Sequence, residues 1–251
     1  MSRSRAVKYV SRPGPAPFNR GLRRIHTMAV AGRVSTSSRG LDALLGGGAR
    51  AGEIVFLYGE TGAGKTAVAM SLAASLLKRD AGAKVSWVDS DGKFSPPRME
   101  QVLGPGEDMR RLLYARPSSM EGQAEAIDVM ERQLQRGDMG VLDSATGVYR
   151  VDAGDAKATF SENKELNRQM GQLKEIAVGK GATMVVTGRV RSVLDSPLPT
   201  VEPVGQRLLR YWADVVVKLE TTPIPGARQA TLEKPRRGAV RFRIGEAGVT
   251  D

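Results

Sequence analysis

The chain has 251 residues, with 38 Lys and Arg against 27 Asp and Glu, one His and no Cys. Without Cys there is no disulfide framework and no Cys-ligated zinc or iron–sulfur site. With His26 as the sole imidazole, a Ser-His-Asp triad or a multi-histidine metal site would rest on one residue in a basic, Pro-rich stretch.

A hydrophobic share of 41% and a charged share of 26% are those of an ordinary globular protein. The length suits one large α/β domain, or one such domain with a tail. The positive charge is concentrated at the start: residues 1–27 carry seven cations (Arg3, Arg5, Lys8, Arg12, Arg20, Arg23, Arg24) and no acid. We therefore expect a basic, disordered tail over 1–27 and a folded body over 28–251. Such a tail points to a polyanionic partner, nucleic acid before anionic membrane. A solubilising tail and a transit peptide are the other readings. Pro13, Gly14, Pro15 and Pro17 would break the amphipathic helix that a transit peptide needs, and translation from Met28 would remove the tail altogether. The longest apolar run, 67–77, holds two serines and ends at Lys78-Arg79. It is short of the roughly 18 residues of a membrane span. The lack of Cys fits a reducing cytoplasm, and with the polyanionic partner of the tail a cytoplasmic, nucleoid-associated protein is expected.

Beyond the tail, β-rich runs alternate with helical ones. Strands are expected at 53–58, 85–89, 111–115, 139–144 and 182–187, and helices at 65–79, 119–135 and 161–178. Continuous apolar strands separated by helices imply a mainly parallel sheet covered on both faces. The pattern then changes to strands at 214–220, 228–233 and 240–244 with no helix between them, an antiparallel extension of the same sheet. The fold class is α/β.

Gly59-Glu60-Thr61-Gly62-Ala63-Gly64-Lys65-Thr66 matches G-x-x-x-x-G-K-[ST], between an expected strand and an expected helix. Glycines let the backbone wrap a triphosphate with its N–H groups inward, and the helix start adds its positive dipole end. In this pattern Lys65 reaches the β- and γ-phosphates and the Thr66 hydroxyl ligates Mg²⁺. The cofactors implied are ATP and Mg²⁺. A second carboxylate is needed at another strand end. Asp143, closing Val141-Leu142-Asp143-Ser144, is the candidate. Val88-Asp89-Ser90-Asp91 is a further strand ending in carboxylates. Asp91 is the candidate for polarising the attacking water, and Asp89 the candidate for a structural role.

From about residue 34 to 251 these segments resemble the RecA-like recombinases, in their archaeal RadA/RadB branch and on its RadB side. The resemblance is carried by the lead-in 35–48, the phosphate loop, the stretch 87–98 ending in Arg98, Leu142-Asp143-Ser144 with Tyr149-Arg150, Glu165-Leu166-Asn167-Arg168, and Pro203-Val204-Gly205-Gln206-Arg207 with Tyr211-Trp212-Ala213-Asp214 and Lys218-Leu219-Glu220. It implies a RecA-like P-loop core, ATP-dependent DNA binding in homologous recombination and repair, and slow ATP hydrolysis. By the same resemblance Arg98 stacks on adenine, Lys65, Asp91, Asp143 and Arg189 form the catalytic set, and Arg150, Arg189 and Arg191 lie in or beside DNA-binding loops. A non-hydrolysing, ATP-bound mediator that works with a recombinase or repair partner is the alternative. A KaiC-like signalling ATPase fits the lead-in and phosphate loop, but Ser90-Asp91 lacks that group's paired glutamates.

Three departures stand out. Asp91 is one methylene shorter than the family's Glu. Gly188-Arg189 replaces the family's Asn-Gln pair, leaving Arg189 to contact γ-phosphate, DNA or solvent. Phe18 is followed by Asn19-Arg20-Gly21, which does not fit the Phe-x-x-Ala oligomerisation motif. The segment 189–206 has few apolar anchors and is expected to be mobile until something binds. Lys234, Arg236, Arg237, Arg241 and Arg243 form a second basic cluster, in which alternation puts Arg241 and Arg243 on one strand face. DNA contact would be mainly to the backbone of single strands and would weaken with salt.

Overall fold

The computed structural model describes residues 32–106, 109–149, 156–192, 201–203 and 205–251. The expected tail, Arg150 and half of the 189–206 segment (193–200 and 204) lie outside the described residues, as does the Arg191 side chain.

The chain enters through β1 (Arg33–Val34), α1 (Arg39–Leu44) and β2 (Ala49–Arg50), where β1 and β2 pair antiparallel. Next come β3 (Ile54–Tyr58), α2 (Lys65–Arg79), β4 (Val85–Val88), α3 (Pro96–Leu103), β5 (Leu112–Ala115), α4 (Met120–Gln133), β6 (Met139–Leu142), α5 (Ala156–Lys180) and β7 (Thr183–Gly188). β8 (Val190–Ser192) and β9 (Val201–Pro203) pair with each other, and α6 (Gln206–Trp212) follows. The chain closes with β10 (Val215–Thr221), β11 (Ala227–Lys234), β12 (Gly238–Gly245) and β13 (Gly248–Thr250).

Nine strands form one sheet in the order β13-β12-β11-β10-β3-β7-β6-β4-β5. From β10 to β5 every pairing is parallel, and β11, β12 and β13 are added antiparallel. Sequential parallel strands need crossovers, which is why a helix follows each of the first strands. β3, β4, β6 and β7 are buried along their whole length because helices cover both faces. On one side Val55, Leu57, Trp87, Val141 and Val185 pack with α2 and α3. On the other, Ile54, Phe56, Leu142, Met184 and Val186 pack with α4, α5 and α6.

Ser38, Ser95 and Ser119 cap α1, α3 and α4, each side chain accepting from a first-turn N–H. α5 is longer than the expected 161–178, starting at Ala156 and ending at Lys180. In the expected loop 189–206 the stems instead pair, Val190 with Pro203 and Ser192 with Val201. Phe242 is buried while Arg241 and Arg243 are exposed, so β12 carries the expected two-faced alternation.

Candidate nucleotide-binding site

The carboxyl ends of β3, β4, β6 and β7 share one edge of the sheet, the edge where open α/β sheets bind ligands. β3 runs directly into the phosphate loop. Gly59 has φ 152°, and a Cβ there would stand 2.0 Å from the Leu219 carbonyl oxygen. Gly64, at φ 100°, would press its Cβ to 2.5 Å from Ile244 Cδ1. The loop is thus squeezed between the neighbouring strand β10 and the antiparallel extension, and only glycine fits. Arg228 on β11 fixes the loop from outside, its Nε donating to the Gly62 carbonyl at 2.9 Å.

α2 differs from the capped helices: Gly64 offers its N-terminus no side-chain cap, and the first turn holds no acid. Its leading N–H groups are therefore left for an anion. Lys65, 9% exposed, donates from Nζ to the carbonyls of Gly59 (2.7 Å) and Glu60 (2.9 Å). Burial pulls the pKa of its ammonium down, and the cations of Lys93 and Arg189 add to that, against the attraction of Asp143 and Asp91.

Asp143 follows β6 and is 1% exposed. Its carboxylate accepts the Thr66 hydroxyl at 2.7 Å and the hydroxyl of Thr187, at the end of β7. Burial pushes its pKa up, and the two hydroxyl bonds pull the other way. Thr66 Oγ1 and Asp143 are oxygen donors suited to a hard cation. Two protein oxygens leave most of the shell to phosphate and water, as Mg²⁺ prefers. The loop, the uncapped helix and this oxygen pair fit Mg-ATP.

The two carboxylates after β4 have different surroundings. Asp89 is fully buried; it accepts the Lys93 and Phe94 N–H groups at 3.0 Å each and the Tyr114 hydroxyl at 3.0 Å, closing the turn. Asp91 faces Asp143 across the sheet edge, its N–H donating to the Asp143 carbonyl at 3.2 Å. Its carboxylate accepts the Ser144 hydroxyl (3.1 Å) and both Nε (2.9 Å) and a terminal nitrogen (2.7 Å) of Arg189, with Lys93 Nζ at 3.4 Å. Arg189 thus sits at the carboxylate, a placement outside the three contacts the sequence offered for it. Gly147 makes room: a Cβ there would lie 2.6 Å from both Asp91 Oδ1 and the Ser90 carbonyl.

Arg98 is near the edge of this region but engaged, donating to Gln101 (3.1 Å), the Glu246 carbonyl (2.7 Å) and the Gly245 carbonyl. Its guanidinium holds the β12–β13 turn, so stacking on adenine would require it to leave three acceptors.

Several working residues escaped the sequence reading. Ser144 and Thr187 carry no motif, and only their positions beside strand ends hint at a role. A buried amide chain also runs outward from the site. Ser90 donates to Gln123 (2.5 Å), Gln123 to Gln169 (2.7 Å), and Gln169 to Glu165 (2.9 Å), which pairs with Arg168 (2.8 Å). Gln123 and Gln169 are both fully buried. Tyr149, one residue before Arg150, donates to Asn163 of α5 at 2.9 Å. The site edge and α5 are therefore joined at two points.

A phosphate loop between a first parallel strand and an uncapped helix, with carboxylates on two neighbouring strand ends, defines a P-loop nucleoside triphosphatase core. The Rad51 family pattern matches residues 27–223, and the chain belongs to that family. It is 33% identical to the DNA repair and recombination protein RadB of Methanothermobacter thermautotrophicus, over 92% of this chain and 99% of that one. It is 31% identical to RadB of Methanosphaera stadtmanae, over 83% and 92%. A crystal structure of the RadB recombinase superposes with TM-score 0.72 at 29% identity, covering 87% of this chain and 99% of that one. The chain is a RecA-like protein of DNA recombination and repair. Its family binds ATP with Mg²⁺, hydrolyses it and binds DNA.

Proposed function

We propose that this protein is a RadB-like recombinase paralogue that binds Mg-ATP at residues 59–66 and turns it over slowly in response to single-stranded DNA. The observation that carries the reading is the meeting of Thr66, Asp143 and Asp91 at one sheet edge beside the Gly59–Thr66 cradle. Loop N–H groups and Lys65 would hold the phosphates, and Thr66 with Asp143 would hold the metal shell. Mg²⁺ bound there supplies Lewis-acid polarisation of the phosphoryl group. Asp91 orients the attacking water and accepts its proton. Its short side chain, already occupied by Arg189, is the reason for a low rate. DNA contact runs through the backbone, using Arg150, Arg189 and Arg191.

The same occupied carboxylate supports a second reading, in which ATP only holds a conformation and the protein serves as a mediator for a recombinase partner. Phosphate release from Mg-ATP with and without single-stranded DNA separates the two, with Lys65→Ala as control. DNA-stimulated release supports the first. Tight ATP binding without any release supports the second. Replacing Arg189 and Arg191 together by Ala should lower the log–log salt slope of DNA binding by roughly 0.7 per lost contact, and an unaltered slope would move the DNA site elsewhere.

A further inference from the structure

We infer that Arg189 is a latch on Asp91, and that a nucleic-acid phosphate opens it. The inference rests on the proposed roles of Asp91 as water-polarising group and of Arg189 as a DNA contact. A carboxylate that is to take a proton from water needs an oxygen open to that water. Here Oδ1 accepts three donors, two from Arg189 and one from Ser144, and Lys93 stands at Oδ2. In this arrangement Oδ1 is filled and Oδ2 faces the Lys93 ammonium.

The two partners of the latch are unequal. The Asp91 side chain is 2% exposed and cannot follow its partner outward, whereas the Arg189 side chain is 49% exposed. The guanidinium is therefore the part that moves. Its main chain stays in place because the Arg189 N–H donates to Thr146 Oγ1 at 3.1 Å. Rotation about the side chain alone is enough to swing it out.

Both donors of the Arg189 fork converge on one oxygen of Asp91, and the same pair of donors can instead take the two oxygens of a phosphodiester. One guanidinium cannot serve both. Arg189 lies between β7 and β8, at the root of the β8–β9 hairpin, and so stands where the catalytic edge meets the outgoing segment. When Arg189 leaves, Asp91 is not stranded, because Lys93 at 3.4 Å and the Ser144 hydroxyl remain with it. The arginine end of the pair is half-exposed, so a competing polyanion can reach it from solvent.

The test measures phosphate release from Mg-ATP by the full chain, with and without an oligo-dT strand, for wild type, Arg189→Ala, Arg189→Gln, Asp91→Asn and the Arg189→Ala/Asp91→Asn double variant. Without DNA, both Arg189 variants should exceed wild type by roughly five- to tenfold, the range that loss of a modest ion pair allows. They should respond little to added strand, and the double variant should fall back to the Asp91→Asn level. Release by the Arg189 variants at or below the wild-type rate overturns the latch, and so does a gain that survives in the double variant. Anisotropy of labelled oligo-dT on wild type keeps the two questions apart: no binding there sinks the DNA reading, while a DNA-independent gain in Arg189→Ala still supports a latch opened by removing the arginine.

Discussion

The Thr66 hydroxyl donates to Asp143 across 2.7 Å, joining the helix that opens at the phosphate loop to the strand that ends in the second carboxylate. With Thr187 on the other oxygen, Asp143 is fastened by two hydroxyls in a site where burial works against its charge.

That burial makes a prediction about pH. The pKa of Asp143 is raised above its unfolded value of about 3.9. The neutral acid thus favours the fold, and this contribution is complete below the unfolded pKa and is lost as pH rises through the raised folded value. Above the unfolded pKa the free protein takes on a cost for the buried carboxylate that grows as pH rises through the folded value. Asp143→Asn should therefore melt above wild type at pH 7 without nucleotide, with the gap closing as pH falls toward 4. Mg-ATP should stabilise wild type more than the variant. A variant that melts lower at pH 7 would mean that the two hydroxyl bonds outweigh desolvation.

Lys65 is preloaded on two carbonyls of the loop it serves. Lys65→Ala removes charge-assisted contacts worth about 1.5–3 kcal/mol each. Calorimetry should show ATP affinity lower by about 100-fold or more, and equal affinity would end the phosphate-loop assignment.

Gly147 tests whether the position of Asp91 matters. Its missing Cβ would sit 2.6 Å from the Asp91 oxygen and from the Ser90 carbonyl. Gly147→Ala must push the carboxylate aside, and a shift of about 1 Å can lower turnover by about 100-fold. Nucleotide affinity, measured in parallel, should hold, since the phosphate loop is untouched. Normal turnover would show that Asp91 does not act on the water.

The buried amide chain is a stability element. Gln123→Leu keeps the volume but orphans the Ser90 hydroxyl and one side of the Gln169 amide, each costing about 1–3 kcal/mol. Urea unfolding should show this loss, and Gln169→Leu added to it should cost less than the sum of the single changes. Strict additivity would mean that the two amides do not share a bond that matters.

The sequence made the sheet and the phosphate loop legible because both obey local rules. β3 and β6 are unbroken apolar runs, β7 has an apolar centre at Met184-Val185-Val186, and the loop has its glycines and lysine at fixed spacing. The short helices α1, α3 and α6 did not announce themselves, since six to eight residues give too few turns for a periodic pattern. Ser95 followed by two prolines was the only local sign of α3. Asp143 and Asp91 could be picked out as strand-end carboxylates. Their surroundings could not, because Ser144, Thr187, Gly147 and Arg189 reach them through the order of strands in the sheet. The Arg189–Asp91 pair joins residues 98 positions apart, and no local pattern encodes it.

Arg228 and Ile244 grip the phosphate loop from β11 and β12, at Gly62 and Gly64. A triphosphate seated in the loop would therefore be felt in a hairpin beyond its reach. Amide hydrogens of 227–245 should exchange with deuterium more slowly when ATP is bound, while those of the far edge strand β5 keep their rate. Slower exchange there would make the antiparallel extension a reporter of nucleotide occupancy on the outer side of the molecule, where a neighbour could read it without entering the site.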